Sequence, residues 1–321
     1  MSLRIDDLHK HFGRVVALDG LSFEVPAGQI FGFLGANGAG KTTTMRVALG
    51  VLAADRGRVV WKGQDTRELP RATWGYLPEE RGLYPRMVVL DQLVFFGSLH
   101  GLPRDIARRS ALEWLRRFRV LDLAERKAEE LSKGNQQKIQ LICAILHNPP
   151  VLLMDEPFTG LDPVNVAMLR EAFLELRDDG RTLIFSTHQM ETVEAMCESI
   201  AIIDRGRVVV GGPLRAIKRA TGRRMVRLTV DGDHRLAWLA SVPGARILRP
   251  GIDRTEIELD EGTEPDELLA AAIAAGARVT HFEVAEPSLE QIFIDHVGRP
   301  PDEDSRLASG DAEASSAEDA A

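Results

Sequence analysis

Short apolar runs and one long stretch of helical spacing alternate along this chain. Ser22-Phe23-Glu24-Val25 alternates apolar and polar and stops at Pro26, while Ile30-Phe31-Gly32-Phe33-Leu34 and Val59-Val60-Trp61 are brief apolar runs. Residues 1–84 therefore read as strands and turns. From Leu90 to Ala128 the period becomes helical, with Leu90, Leu93, Val94, Leu99, Leu112, Leu115 and Phe118 on recurring positions. Strand and helix then alternate again. Val151–Met154 reads as a buried strand, Met168–Leu176 as an amphipathic helix, Thr182–Ser186 as a strand, Met190–Glu198 as a helix and Ile200–Asp204 as a strand. That order predicts an α/β core carrying an inserted helical block.

After Thr221-Gly222 a second pattern starts. Met225–Val230 reads as a strand, Arg235–Leu239 as a short helix, Ala245–Leu248 and Thr255–Leu259 as strands around Pro250-Gly251, Glu264–Ala275 as a helix and Val279–Val284 as a last strand. The βαββαβ order predicts a small ferredoxin-like α+β module. Ser288-Leu289-Glu290-Gln291 has the form of a capping box opening a closing helix.

Charge changes the picture only at the end of the chain. The 321 residues carry a formal charge of −8, but between Pro300 and Ala321 seven carboxylates stand against Arg306 alone. With Leu307 its single large aliphatic residue, residues 299–321 read as a disordered acidic tail. The remainder is near neutral, with no basic surface for a nucleic acid, and none is expected as a partner. Cys143 and Cys197 lie far apart in helical contexts, which suits small buried hydrophobes in a reducing compartment rather than a bridge or a metal pair. The first residues are charged too early for a signal peptide. No apolar run approaches the roughly 20 residues of a membrane span.

The chemistry is most concentrated at Gly35-Ala36-Asn37-Gly38-Ala39-Gly40-Lys41-Thr42, a complete G-x-x-x-x-G-K-[ST] phosphate loop between the Ile30–Leu34 run and a helical stretch from Thr43 to Leu49. Backbone N–H groups of such a loop and the helix start face an anion, Lys41 is placed for the β- and γ-phosphates, and the Thr42 hydroxyl for Mg²⁺. A nucleoside triphosphate is the expected ligand. Downstream, Val151–Met154 ends in Asp155-Glu156, a pair suited to holding Mg²⁺ through water (Asp155) and polarising an attacking water (Glu156). Ser132-Lys133-Gly134-Asn135 opens an apolar helix, either as a second anion site or simply as an N-cap. Thr159-Gly160-Leu161-Asp162 follows the carboxylates, and Ser186-Thr187-His188 ends the next strand.

With these motifs in order, residues 2–215 resemble the ATP-binding subunit of an ABC transporter, which makes the expected fold a P-loop ABC ATPase core (1–221, helical subdomain about 86–147) followed by the accessory module (222–298). The resemblance implies ATP hydrolysis with ATP and Mg²⁺, and a head-to-tail dimer that sandwiches ATP between one copy's phosphate loop, residues 35–43 including Thr43, and the other's Ser132 and Gly134. It further implies that Phe12 stacks on adenine, that His188 positions the γ-phosphate and water, and that Asp162 links the two sites. Two spellings depart from the family. Ser-Gly-Gly-Gln is here Ser132-Lys133-Gly134-Asn135, and the usual Gln between phosphate loop and helical block is replaced within Tyr76-Leu77-Pro78-Glu79-Glu80, where Glu79 takes the place and Glu80 is one residue away. These spellings, with Pro287–Phe293, are similar to bacterial sodium-export and drug-export ATPase subunits, which implies efflux through a separate membrane permease and a place on the cytoplasmic face of the membrane. The alternative is a non-transport ABC ATPase acting mechanically on nucleic acid or the ribosome. Such proteins usually hold two cassettes or a long coiled coil, and this chain has one phosphate loop and no sustained heptads.

Overall fold

A computed structural model describes residues 2–80, 82–231, 236–251, 254–260 and 262–298. The expected acidic tail, 299–321, lies outside the described residues. The chain divides into two compact units between Leu214 and Arg215. The sequence pattern alone set that boundary after residue 221.

The first unit begins with β1 (Ser2–Phe12), β2 (Val15–Pro26), β3 (Ile30–Leu34), α1 (Lys41–Ala48), β4 (Arg56–Trp61), β5 (Gln64–Asp65) and β6 (Trp74–Leu77). The helical block follows as α2 (Val89–Leu99), α3 (Arg104–Arg117) and α4 (Lys133–Ile145). Then come β7 (Val151–Asp155), α5 (Pro163–Asp178), β8 (Thr182–Thr187), α6 (Met190–Met196), β9 (Ser199–Asp204) and β10 (Arg207–Pro213). α6 stops two residues short of the expected Glu198, because Cys197 is already extended and the chain turns directly into β9.

Two sheets share one core. The smaller is antiparallel, in the order β2-β1-β4-β5, and the larger runs β10-β9-β3-β8-β7-β6. β9, β3, β8, β7 and β6 are parallel, with β10 antiparallel at the edge. β3 and β7 are buried at every position, which explains why both read as continuous apolar runs rather than alternating ones. Leu8, Leu18 and Val25 from the small sheet pack with Phe31, Phe33, Leu153 and Ile184 from the large one. Parallel strands end on the same side, and ligands of open α/β sheets bind at those carboxyl ends. Register makes this concrete: Leu34 lies beside Thr187, and Asp155 beside Ser186.

A stacked histidine pair, one buried and one half-buried, ties the turn after α4 to this sheet. The His147 Nε2–H donates to the Trp74 carbonyl at 3.0 Å, and its ring stacks on His100 with centroids 3.8 Å apart. Burial, reinforced by the neighbouring His100, holds the His147 imidazole down to about 4 from an ordinary 6.5. The unfolded chain therefore takes up this proton near pH 6.5 while the folded chain refuses it until about pH 4. Stability should fall as pH drops through that interval, by up to about 3 kcal/mol. Urea melts at pH 7.5 and 4.5 should show this slope, and His147→Gln should flatten it. An unchanged slope in the variant would assign it to other groups.

The second unit holds most of α7 (Leu214–Ala220), then β11 (Arg224–Asp231), β12 (Ala245–Arg249), β13 (Thr255–Leu259), α8 (Pro265–Ala274), β14 (Arg278–Ala285) and α9 (Leu289–Val297). Its antiparallel sheet has the order β12-β13-β11-β14, the ferredoxin-like arrangement, over a core of Val226, Leu228, Ile257, Leu259 and Leu268. The first of the two expected helices is instead a short 3₁₀ segment, Ala237–Ser241. The Ser288 Oγ accepts from the Gln291 N–H at 3.2 Å, capping α9 as its sequence suggested.

Candidate functional site

The turn between β3 and α1 wraps a cavity of about 350 Å³ whose wall includes Asn37, Gly38, Gly40, Lys41, Thr42, Thr43, Glu79, Asp155 and Glu156. Gly40 sits at φ 108°, where a side chain is strained, and a Cβ there would come within 2.6 Å of the Ala17 carbonyl. Gly35, Ala36 and Ala39 form the buried underside of the loop. The Lys41 ammonium crosses the loop and donates to the Gly35 carbonyl at 2.7 Å and the Ala36 carbonyl at 3.2 Å. Burial lowers its pKa, opposed by the carboxylates of Glu156, Asp155 and Glu79.

Those carboxylates come from two loops. Asp155 closes β7, where its Oδ2 accepts from the Thr42 hydroxyl at 2.6 Å and its Oδ1 from the Ser186 hydroxyl. Glu156 follows at φ 47°, a left-handed conformation that costs a non-glycine residue about 1 kcal/mol. Its N–H is held by the Ser186 carbonyl at 3.1 Å and the Ser186 Oγ at 3.2 Å. The turn points the side chain toward His188, whose Nδ1–H donates to Glu156 Oε1 at 3.0 Å, and Thr159 Oγ1 donates to Oε2 at 3.2 Å. Glu79 lines the cavity whereas Glu80 does not. Partial desolvation at the cavity wall, with the like charges of Asp155 and Glu156, raises the pKa of Glu79, whose side chain stays open to solvent.

Ser132, Gly134 and Asp162 lie together but away from this cavity. Ser132 Oγ accepts from the Asn135 N–H at 3.4 Å, capping α4, and Asp162 caps α5 by accepting from the Asn165 N–H at 3.0 Å. A Cβ on Gly134 would come within 2.8 Å of Asn165 Nδ2, so the two helix starts lie side by side and a larger residue at 134 would push the Asn165 amide aside. Phe12 is 49% exposed at the tip of β1, paired across the hairpin with Val15. That exposure rules out a core role. Val15, Val16 and Ala17 line the cavity and were not read as site residues; the exposure of Val15 and Val16 on a hairpin becomes visible only in the fold. Ser186 was likewise seen only as the end of a strand.

Comparison with known proteins places this geometry. Residues 18–159 match the ABC transporter family, and residues 212–297 match the C-terminal domain of DrrA1-3-like ATP-binding proteins. A Bacillus subtilis protein, the uncharacterized ABC transporter ATP-binding protein YhaQ, is 45% identical over 296 residues, covering 92% of this chain and 98% of its own. The chain belongs to the ABC transporter ATP-binding proteins. Another relative of this family is the linearmycin resistance ATP-binding protein LnrL of Bacillus subtilis, 31% identical over 92% of this chain and 98% of its own length. The Nod factor export ATP-binding protein I of Ralstonia nicotianae is 32% identical over 92% and 94%. A solved ATP-binding subunit of an ABC transporter superposes with a TM-score of 0.64 at 32% identity, covering 69% of this chain and 94% of that one. As an ABC ATP-binding subunit the protein binds nucleotide and hydrolyses ATP in the service of transport. Subunits of this family dimerise and work with transmembrane permeases. Among the described residues no helix is long and apolar enough to cross a membrane.

Proposed function

We propose that this subunit drives efflux through a separate permease from the cytoplasmic face of the membrane, using an ATP-dependent head-to-tail dimer. The observation that carries the catalytic part is the convergence of Lys41, Thr42, Glu79, Asp155 and Glu156 on one cavity, with His188 bonded to Glu156. In this reading the phosphate loop cradles the β- and γ-phosphates and Lys41 moves from its loop carbonyls onto them. Glu156, held by His188 and Thr159, orients and polarises the attacking water, and His188 also faces the γ-phosphate. Phe12 stacks on adenine at the mouth beside Val15. Ser132, Gly134 and Asp162, outside the cavity, serve the nucleotide of the second copy. Efflux is supported by the names of the resistance and export relatives.

The donor set fits Mg²⁺. Three carboxylates face one ammonium, leaving excess negative oxygen for a hard cation. Among the described residues no three acidic, histidine or cysteine side chains converge closely enough to hold a metal unaided, which suits a site completed by phosphate oxygens. Thr42, Asp155 and Glu79 would hold the ion, which when bound neutralises charge developing on the phosphates.

Glu79→Ala is expected to raise the Mg²⁺ concentration for half-maximal ATPase about 10- to 100-fold, the usual cost of removing a metal-supporting side chain, and to uncouple hydrolysis from the permease. ATP binding without Mg²⁺ should persist, and Glu79→Gln should be tolerated. Wild-type behaviour of Glu79→Ala together with a defect in Glu80→Ala would move the role to Glu80. Direction of transport is tested with the subunit copurified with its permease in inside-out vesicles. ATP-driven accumulation in the lumen is expected, and ATP-driven depletion would mean import.

A further inference from the structure

α4 holds an amide where its pattern calls for an apolar residue. Gln140 lies within Lys138-Ile139-Gln140-Leu141-Ile142-Cys143 and is 4% exposed. Its Nε2 donates to two carbonyls, Pro78 at 3.1 Å and Glu80 at 3.0 Å, on either side of Glu79. Both partners are acceptors, so the amide orientation is fixed: the reverse would set Oε1 against two carbonyl oxygens. Oε1 is left buried without a hydrogen-bond partner among the described residues. A buried orphan acceptor is costly, and an apolar residue would avoid it. Three residues earlier on the same helical face, Gln137 Nε2 donates to the Pro157 carbonyl at 3.1 Å, next to Glu156.

We infer that Gln140 is a positioning residue that pins the backbone on both sides of Glu79 and so aims that carboxylate into the phosphate cavity. Without the amide, the Pro78 and Glu80 carbonyls lose a shared buried donor and the segment is free to turn the exposed Glu79 carboxylate away from the cavity. The same bonds tie Glu79 to the helix capped by Ser132, eight residues or about 12 Å away along the α4 axis. A displacement of the Ser132 end is thereby transmitted to Glu79. The functional consequence rests on the Glu79 role proposed above; the positioning does not.

The test uses the full chain carrying Gln140→Met, which keeps the volume and removes the donor, with Gln140→Leu as a second variant should the first fold poorly. Hydrogen exchange of peptides covering Trp74–Glu80, whose β6 ladder amides report loosening of the chain that follows them, is expected without nucleotide to quicken about five- to tenfold, the weight of one or two neutral hydrogen bonds. Exchange in the phosphate loop should stay as in wild type. The half-activating Mg²⁺ concentration should rise as in Glu79→Ala, and Gln140→Met with Glu79→Ala should be no worse than Glu79→Ala alone. Unchanged exchange across Trp74–Glu80 overturns the inference, as does a fully additive double variant. Faster exchange, combined with a Glu79→Ala protein of normal Mg²⁺ dependence, supports the positioning and instead removes the proposed role of Glu79.

Discussion

Glu156→Gln should bind ATP as wild type does and hydrolyse it about 10²- to 10⁴-fold more slowly, the usual contribution of a positioned general base. The amide keeps the shape of the carboxylate and can still meet His188 and Thr159, so the left-handed turn at residue 156 need not change. What it loses is the negative charge and lone pair that draw a proton from water as the phosphorus is attacked. Since that interaction strengthens only in the transition state, the loss belongs to kcat rather than to binding. With Mg²⁺ and ATP the variant should accumulate as a nucleotide-sandwiched dimer, visible by light scattering. Single-turnover hydrolysis at the wild-type rate would place the catalytic carboxylate elsewhere.

Lys41→Ala should instead lose ATP affinity, by about 10- to 100-fold from charge-assisted hydrogen bonds alone. The ammonium is 7% exposed and is the cation set against Glu156, Asp155 and Glu79. Removing it leaves a triphosphate facing those carboxylates in a site where water screens poorly. The loop itself should persist, because its backbone is set by Gly40 and by the Ala39 N–H bond to the Ala36 carbonyl. Titration of a fluorescent ATP analogue, with circular dichroism to check the fold, separates the two effects. Normal affinity with slowed hydrolysis would make Lys41 a transition-state residue only.

Each motif whose atoms are neighbours along the chain was legible before any fold was known. Gly35–Thr42 is one turn, Asp155-Glu156 one strand end, and Ser132 and Ser288 cap helices over three residues. Apolar runs predicted β3, β7 and β8 because buried parallel strands need no alternation. The ends of elements were less legible: α6 stopped early and one helix became a 3₁₀ segment.

Tertiary structure decided what the motifs do to one another. Thr42 and Asp155, 113 residues apart, meet because parallel register brings the carboxyl ends of β3, β8 and β7 to one edge. Ser186 holds Asp155 and Glu156 together for the same reason. No local pattern could choose between Glu79 and Glu80. Adjacent residues on an irregular loop have no periodicity, and the choice was made by a backbone that α4 grips through Gln140, sixty residues downstream of Glu80. Sequence determined the chemistry within each contiguous loop, and the fold determined which loops share a cavity, because loop direction depends on long-range hydrogen bonds and burial that no short segment encodes.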